Sequence, residues 1–201
     1  MIHEMKAKRK YVLNRRAEKQ AETRDRIIDA AVLLHEEIGP KLTTISAIAD
    51  RAGVERLTVY RHFPNELSIF DACSSRWYEN HPFPDPNVWK KLQLADERTL
   101  KALTVLYQYF RSTEGMWTSL YRDEAELPAL KDSMQKARSY FSSIARDLVR
   151  AWKPSVRDRT VLTAAVDHAV KFSTWQSLKA LKDDEIARLI VLWLRAILNR
   201  R

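Results

Sequence analysis

TTISAIADRAGVERLTVYRHF, residues 43–63, carries the most specific spacing in the chain. Thr43 or Thr44 can cap a helix here, because a threonine hydroxyl satisfies an orphan backbone amide. Ile45, Ile48 and Ala49 recur at helical spacing, and Ala49 is small where a second helix must cross closely. Gly53 supplies the positive φ that a short turn needs and that only glycine adopts cheaply. Val54 plugs the turn, and Val59 returns to the core from a second helix. A small residue, a glycine four later and an aliphatic six after that is the helix-turn-helix spacing, whose second helix lies in a DNA major groove. An αα-corner inside any helical protein has the same spacing, so these residues alone leave both readings open.

Outward from this stretch, the composition points to helices throughout. The chain has 201 residues, enough for one or two domains with a real core. Its three glycines (Gly39, Gly53, Gly115) stand at expected helix boundaries, and no segment alternates apolar with polar residues as a strand would. The single Cys73 excludes an internal disulfide or a cysteine-rich metal site and reads as a small apolar residue on a helix. No apolar run approaches the length of a membrane span, and the N-terminus is basic and polar, unlike a signal peptide, so a cytoplasmic protein is expected. The net charge of +9 favours an anionic partner. Lys6, Lys8, Arg9, Lys10, Arg15, Arg16 and Lys19 outweigh Glu4 and Glu18 in residues 1–20. Such a basic arm is either a solubilising tail or a contact to phosphates or a minor groove.

Along the chain, the first long helix is expected from near Asn14 to Gly39, with Ile27, Ala30, Ala31, Leu34 and Ile38 as its apolar stripe. After Phe63-Pro64, Asn65 caps a helix to about Tyr78, with Leu67, Phe70, Cys73, Ser74 and Trp77 on one face. HPFPDPNVW, residues 81–89, holds three prolines in five positions and is expected to be non-helical. Helices are then predicted over 96–113, 116–122, 128–152, 156–181 and 184–198, the third with Leu130, Met134, Ala137, Phe141, Ile144 and Leu148 at helical intervals. The last of these, within EIARLIVLWLRAIL, is apolar on nearly every side. One stripe docks such a helix on its own domain, and a second needs another surface to cover it.

RDRIIDAAVLLHEEIG, KLTTISAIADRAGV and TVYRHFPNE together resemble the N-terminal domain of the tetracycline-repressor (TetR) family of bacterial transcriptional regulators. The resemblance spans residues 24 to about 72. It rests on Ala30-Ala31, Gly39, Thr43-Thr44, Ile48-Ala49, Ala52-Gly53-Val54 and Tyr60 to Pro64. It implies an all-α fold: a three-helix DNA-binding domain over 21–64 behind the arm of 1–20, then a helical ligand-binding and dimerisation domain over 65–201. It further implies a homodimer through the last two helices, a double-stranded palindromic operator as partner, and a small-molecule effector that weakens DNA binding. The helix after Pro64 would link the two domains. No cofactor, metal, membrane or catalytic role is implied.

The recognition helix should begin at Glu55 or Arg56 and end at Phe63, with Val59 and Phe63 inward. Arg56, Leu57, Thr58, Tyr60 and Arg61 face outward, with His62 at the margin. Arg56 is the best base reader, because its fork can grip guanine O6 and N7 together. Thr58 or Leu57 suits a thymine methyl, and the resemblance gives Tyr60 a phosphate. Thr44 and Ser46 can hold phosphate with side chains and free amides. Three positions depart from the family pattern. Glu55 replaces a usual serine, Leu57 a frequent glycine, and Glu66 the phosphate-binding lysine that opens the fourth helix.

For the effector, the candidate lining is Tyr107, Phe110, Trp117, Tyr121, Phe141, Phe172 and Trp175, with His168 as a polar partner. Aromatics at helical spacing are more often core, and a satisfied interior or interface histidine fits His168 equally well. Asp123, Glu124 and Glu126 suit a cationic ligand or, better, a solvated loop. Two rivals to a ligand-responsive repressor remain. An enzyme lacks a nucleophile–base pair, a phosphate loop and metal-ligand spacing. A helical DNA-binding protein of weak sequence preference, without a ligand switch, is the alternative that Glu66 and the basic arm keep alive.

Overall fold

The structure, a computed structural model, describes the backbone of residues 2–199 and the side chains of residues 14–128 and 130–199. Among the described residues every regular element is helical. The chain divides into two compact units, one of Met1–His81 with Thr118–Ser133 and one of Pro82–Trp117 with Met134–Arg201.

In the first unit, α1 spans Ile2–Glu37. It starts well before Asn14 because residues 2–13 contain neither glycine nor proline and are mostly good helix formers. The side chains of Lys6, Lys8, Arg9 and Lys10 lie outside the described residues. A 3-10 turn at Pro40–Leu42 leads into α2 (Ile45–Ala52), α3 (Arg56–His62) and α4 (Glu66–Asn80). Ile27, Ile28, Ala30, Ala31 and Leu34 of α1 bury against Ile48, Ala49 and Ala52 of α2 and Val59 of α3, with Phe63 beside them. Each large aliphatic buried here contributes about 1.5–3 kcal/mol. Ile38, expected in that stripe, is instead exposed, and His35 is buried in its place.

Asn65 caps α4 as expected, its side-chain oxygen accepting from Ser68 N at 2.9 Å. The buried face is Ile69, Cys73 and Trp77, at strict i, i+4 spacing, whereas Leu67 stays 49% exposed. The face drawn from Leu67 is therefore corrected to one that starts at Ile69. Arg76 ties α4 to α1, reaching Asp25 at 2.7 Å and also Asp29. Burial pushes the Cys73 thiol up to about 12, which leaves it a packed, protonated group.

In the second unit, α5 (Asn87–Lys90) begins immediately after Pro86. The residues up to Pro86 avoid helix as expected, but the last part of HPFPDPNVW does not. Proline blocks helix before it and is tolerated at a helix start. Then follow α6 (Ala95–Ser112) and α7 (Glu114–Asp123), whose residues from Thr118 belong to the first unit together with α8 (Pro128–Ser133). The second unit continues with α9 (Gln135–Trp152), α10 (Val156–Ala169), α11 (Phe172–Leu178) and α12 (Asp183–Leu198).

Two helices expected to be continuous are broken. The 128–152 segment breaks at Met134, although its predicted stripe of Leu130, Met134, Ala137, Phe141, Ile144 and Leu148 is buried throughout. The 156–181 segment breaks at Val170-Lys171, where Lys171 is extended. The freed carbonyls are satisfied there: Thr174 Oγ1 donates to His168 O at 2.5 Å and the Tyr107 hydroxyl to Ala169 O at 2.7 Å. One partner six residues on and another 62 residues away satisfy a break that neither glycine nor proline announces.

Candidate DNA-binding surface

The geometry of α2 and α3 is set by their caps. Thr44 Oγ1 accepts from Ala47 N at 3.1 Å and opens α2. Gly53 closes it in the left-handed region, φ 65° and ψ 44°. Gly53 N donates to Asp50 O and Val54 N to Ala49 O, the paired bonds of a Schellman end. Glu55 then caps α3 through its backbone only, with no side-chain bond to the helix. A carboxylate at this end is compatible with the helix dipole and leaves the amides without a side-chain acceptor.

Val59 and Phe63 are buried and pin α3 against α1 and α2. That anchorage turns Arg56, Leu57, Tyr60 and Arg61 to solvent, while Thr58 and His62 are partly covered. Leu57 is 65% and Tyr60 44% exposed, large apolar surfaces that the unit itself does not cover. At the mouth of α2, Thr44 is exposed and Ser46 half-buried. One of the two Thr44 lone pairs is taken by its cap, and its O–H can still donate to a phosphate. Glu66 stands exposed at the first turn of α4. Beside α3, the guanidinium of Arg24 lies 4.9 Å from the centroid of Phe63, and Arg26 donates to Ala52 O at 3.2 Å. Sequence reasoning missed Arg24, whose signal was its place one turn before the buried Ile27-Ile28 pair.

The effector candidates separate. Tyr107, Phe110, Trp117, Phe141, Phe172 and Trp175 are buried in the second unit. Phe110 touches Trp117, Phe141, Phe172 and Trp175 with centroids 5.3–6.3 Å apart. These rings form a packed core in this structure. Tyr121 belongs to the first unit and is 40% exposed, and His168 is exposed on α10. Asp123, expected in a solvated loop, is buried in the first unit with Arg122 as partner.

Residues 27–73 match the model of the bacterial regulatory proteins of the tetR family. The tetR-family match covers α2 and α3 with the flanking parts of α1 and α4. The chain is 36% identical over 70 residues to the HTH-type transcriptional regulator TtgR of Pseudomonas putida, covering 35% of this chain and 33% of that protein. The chain thus spans about a third of the length of the curated relatives it matches. In fold it is similar to a tetR-family transcriptional regulator from Streptomyces coelicolor, with TM-score 0.62 and 18% identity, covering 88% of this chain and 80% of that one. It is also similar to the multidrug binding protein EbrR complexed with imidazole, with TM-score 0.50 and 21% identity, covering 85% and 88%. Among the described residues no helix is long and apolar enough to cross a membrane.

Proposed function

We propose that this chain is a DNA-binding transcription regulator that represses as a homodimer on a palindromic operator and is released by a small-molecule effector. The observation that carries the reading is the exposure of Arg56, Leu57, Tyr60 and Arg61 on a helix pinned from behind by Val59 and Phe63. In the major groove, Arg56 at the start of α3 meets a guanine edge, and Leu57 or Thr58 packs on a thymine methyl. Tyr60, with Thr44 and Ser46 at the opening of α2, contacts phosphates and fixes register without reading sequence.

The homodimer is supported by α12 and α10. On α12, Ile186, Ala187, Ile190, Val191 and Leu194 bury inward, yet Leu192 remains 58% and Trp193 46% exposed. Val161 on neighbouring α10 is 47% exposed. An apolar surface spread over two adjacent helices suits a twofold helical interface. Two heads held by that interface read half-sites about one duplex turn apart.

The effector reading is supported by the ligand-bound neighbour of the same fold. An effector acts only through its differential affinity for DNA-competent and incompetent forms. A switch-free protein of weak sequence preference is the second reading, favoured by the close packing of the aromatic rings in the second unit and by Glu66. Genomic footprinting in cells, followed by gel shifts at rising salt, separates them. The first reading expects one palindromic site preferred at every salt concentration, and release by a compound related to the neighbouring genes. Uniform binding to unrelated duplexes supports the second reading, and no binding to any duplex ends both.

A further inference from the structure

The stripe of α1 that packs on the first unit changes character along the helix. From Ile27 through Ala30, Ala31 and Leu34 it is buried. One, two and three turns earlier, the same face carries Thr23, Gln20 and Arg16, flanked by Lys19 and Arg24. The carboxylates of Glu18, Glu22, Asp25 and Asp29 lie on the other side, where Asp25 and Asp29 engage Arg76 of α4. Residues 14–22 are exposed, so this half of the helix overhangs with its charges sorted by face.

The overhang and α3 enclose a groove of about 840 Å³. Arg15, Arg16, Lys19 and Arg24 line it from α1, and Arg61 and His62 from α3. Among the described residues its lining includes no carboxylate. Like charges facing each other across a cleft repel, and an anion seated between them relieves that repulsion. Arg24, which lines the groove, lies on the Phe63 ring, and Arg26 donates to the Ala52 carbonyl; both fix α1 against the head.

We propose that this groove seats the sugar-phosphate backbone of the DNA whose major groove α3 reads, which makes the basic overhang a phosphate clamp and not a free tail. The inference rests on the DNA-binding reading above. DNA is the occupant because Arg61 and His62 belong to the same helix as the outward face of Arg56 and Tyr60. A strand flanking the major groove passes both. From Arg16 to Arg24 the helix advances about 12 Å, over which one DNA strand carries roughly three to four phosphates. The clamp also offsets the repulsion from exposed Glu66.

The test compares the full chain with an Arg15→Ala/Arg16→Ala/Lys19→Ala variant, since alanine preserves the helix. Binding to the footprinted operator and to a scrambled duplex is measured across a salt series, with helicity checked by circular dichroism. The clamp predicts a slope of log K against log salt shallower by about 2–3, from the loss of three phosphate contacts. It also predicts at least tenfold weaker binding to both duplexes at low salt, unchanged operator preference, and recovery when Arg15 and Arg16 are lysine. Parental slope and affinity in the triple alanine variant overturn the clamp alone. Failure of the parent chain to bind either duplex overturns the DNA-binding reading and the clamp with it.

Discussion

The carboxylate of Asp123 accepts a hydrogen bond from the backbone N–H of Lys41 at 3.1 Å, across 82 residues of sequence. The same carboxylate takes Arg122 Nε at 2.7 Å, and Arg122 Nη2 donates to Ile38 O at 2.9 Å. The Lys41 ammonium in turn pairs with Glu126. The turn that swings the chain from α1 into α2 is therefore gripped by the end of α7.

Replacing Asp123 with alanine should destabilise the first unit by about 1–2 kcal/mol, because the part-buried Lys41 amide loses its acceptor. The Arg122 hydrogen bond holds the Asp123 carboxyl below its usual 3.8. Its contribution is therefore present above the unfolded pKa and lost as pH falls through the lower native one. Urea unfolding at neutral pH measures the loss, and a midpoint equal to the parent's would refute the grip.

Gly39→Ala should cost about 1–3 kcal/mol for the backbone alone. Gly39 lies at φ 90° and ψ 158°, a region that residues with a Cβ rarely adopt. A Cβ there would also stand 1.9 Å from Arg122 Nη2 and 2.5 Å from Asp123 Oδ2, so both side chains must move. The double variant with Arg122→Ala should recover the clash with Arg122 but not the backbone cost. A Gly39→Ala protein as stable as the parent would contradict this.

His35 is buried and stacked on Phe70 with centroids 5.3 Å apart, and burial lowers its pKa from 6.5 to about 4 despite the opposing Asp123 charge. The unfolded chain thus binds a proton that the native state resists. Stability should fall as pH drops from about 6.5 to 4 and level off below, by about 3 kcal/mol in all. His35→Phe keeps the stacking and removes the titration. The difference between the two unfolding profiles over that window is the measurement, and parallel profiles would rule the effect out.

Arg56→Ala and Glu66→Lys should behave oppositely on DNA. Losing Arg56 should relax preference at one base position by about 1–3 kcal/mol while leaving the others intact. Gaining a lysine at 66 should tighten all duplexes alike and steepen the salt slope by about one. Selected binding-site profiles decide the first, and titrations of operator and scrambled DNA decide the second. An unchanged profile removes Arg56 from base reading.

Trp193→Glu should convert the proposed dimer to monomers at micromolar concentration, since a carboxylate cannot be buried unpaired in an apolar interface. Helicity should be retained because Trp193 is 46% exposed in the single chain. Sedimentation is the readout, and an unchanged dimer would place the interface elsewhere.

Helices α2 and α3 were legible in sequence because their determinants are local. Ile45, Ile48 and Ala49 set the periodicity, Thr44 and Asn65 cap, and Gly53 turns, all within about twenty residues. The buried stripe from Leu130 to Leu148 was legible for the same reason, yet the break at Met134 within it was not. Periodicity reports which face is apolar, not whether the backbone stays helical between contacts. The break at Val170-Lys171 needed Tyr107, 62 residues away from Ala169, to offset its cost. Likewise the Asp123–Lys41 bond, the burial of His35 and the basic groove under Arg24 and Arg61 depend on residues that meet only after the chain has folded. Short-range spacing determined the elements of this protein; long-range packing decided where they end, which charges lie buried and which face each other across open space.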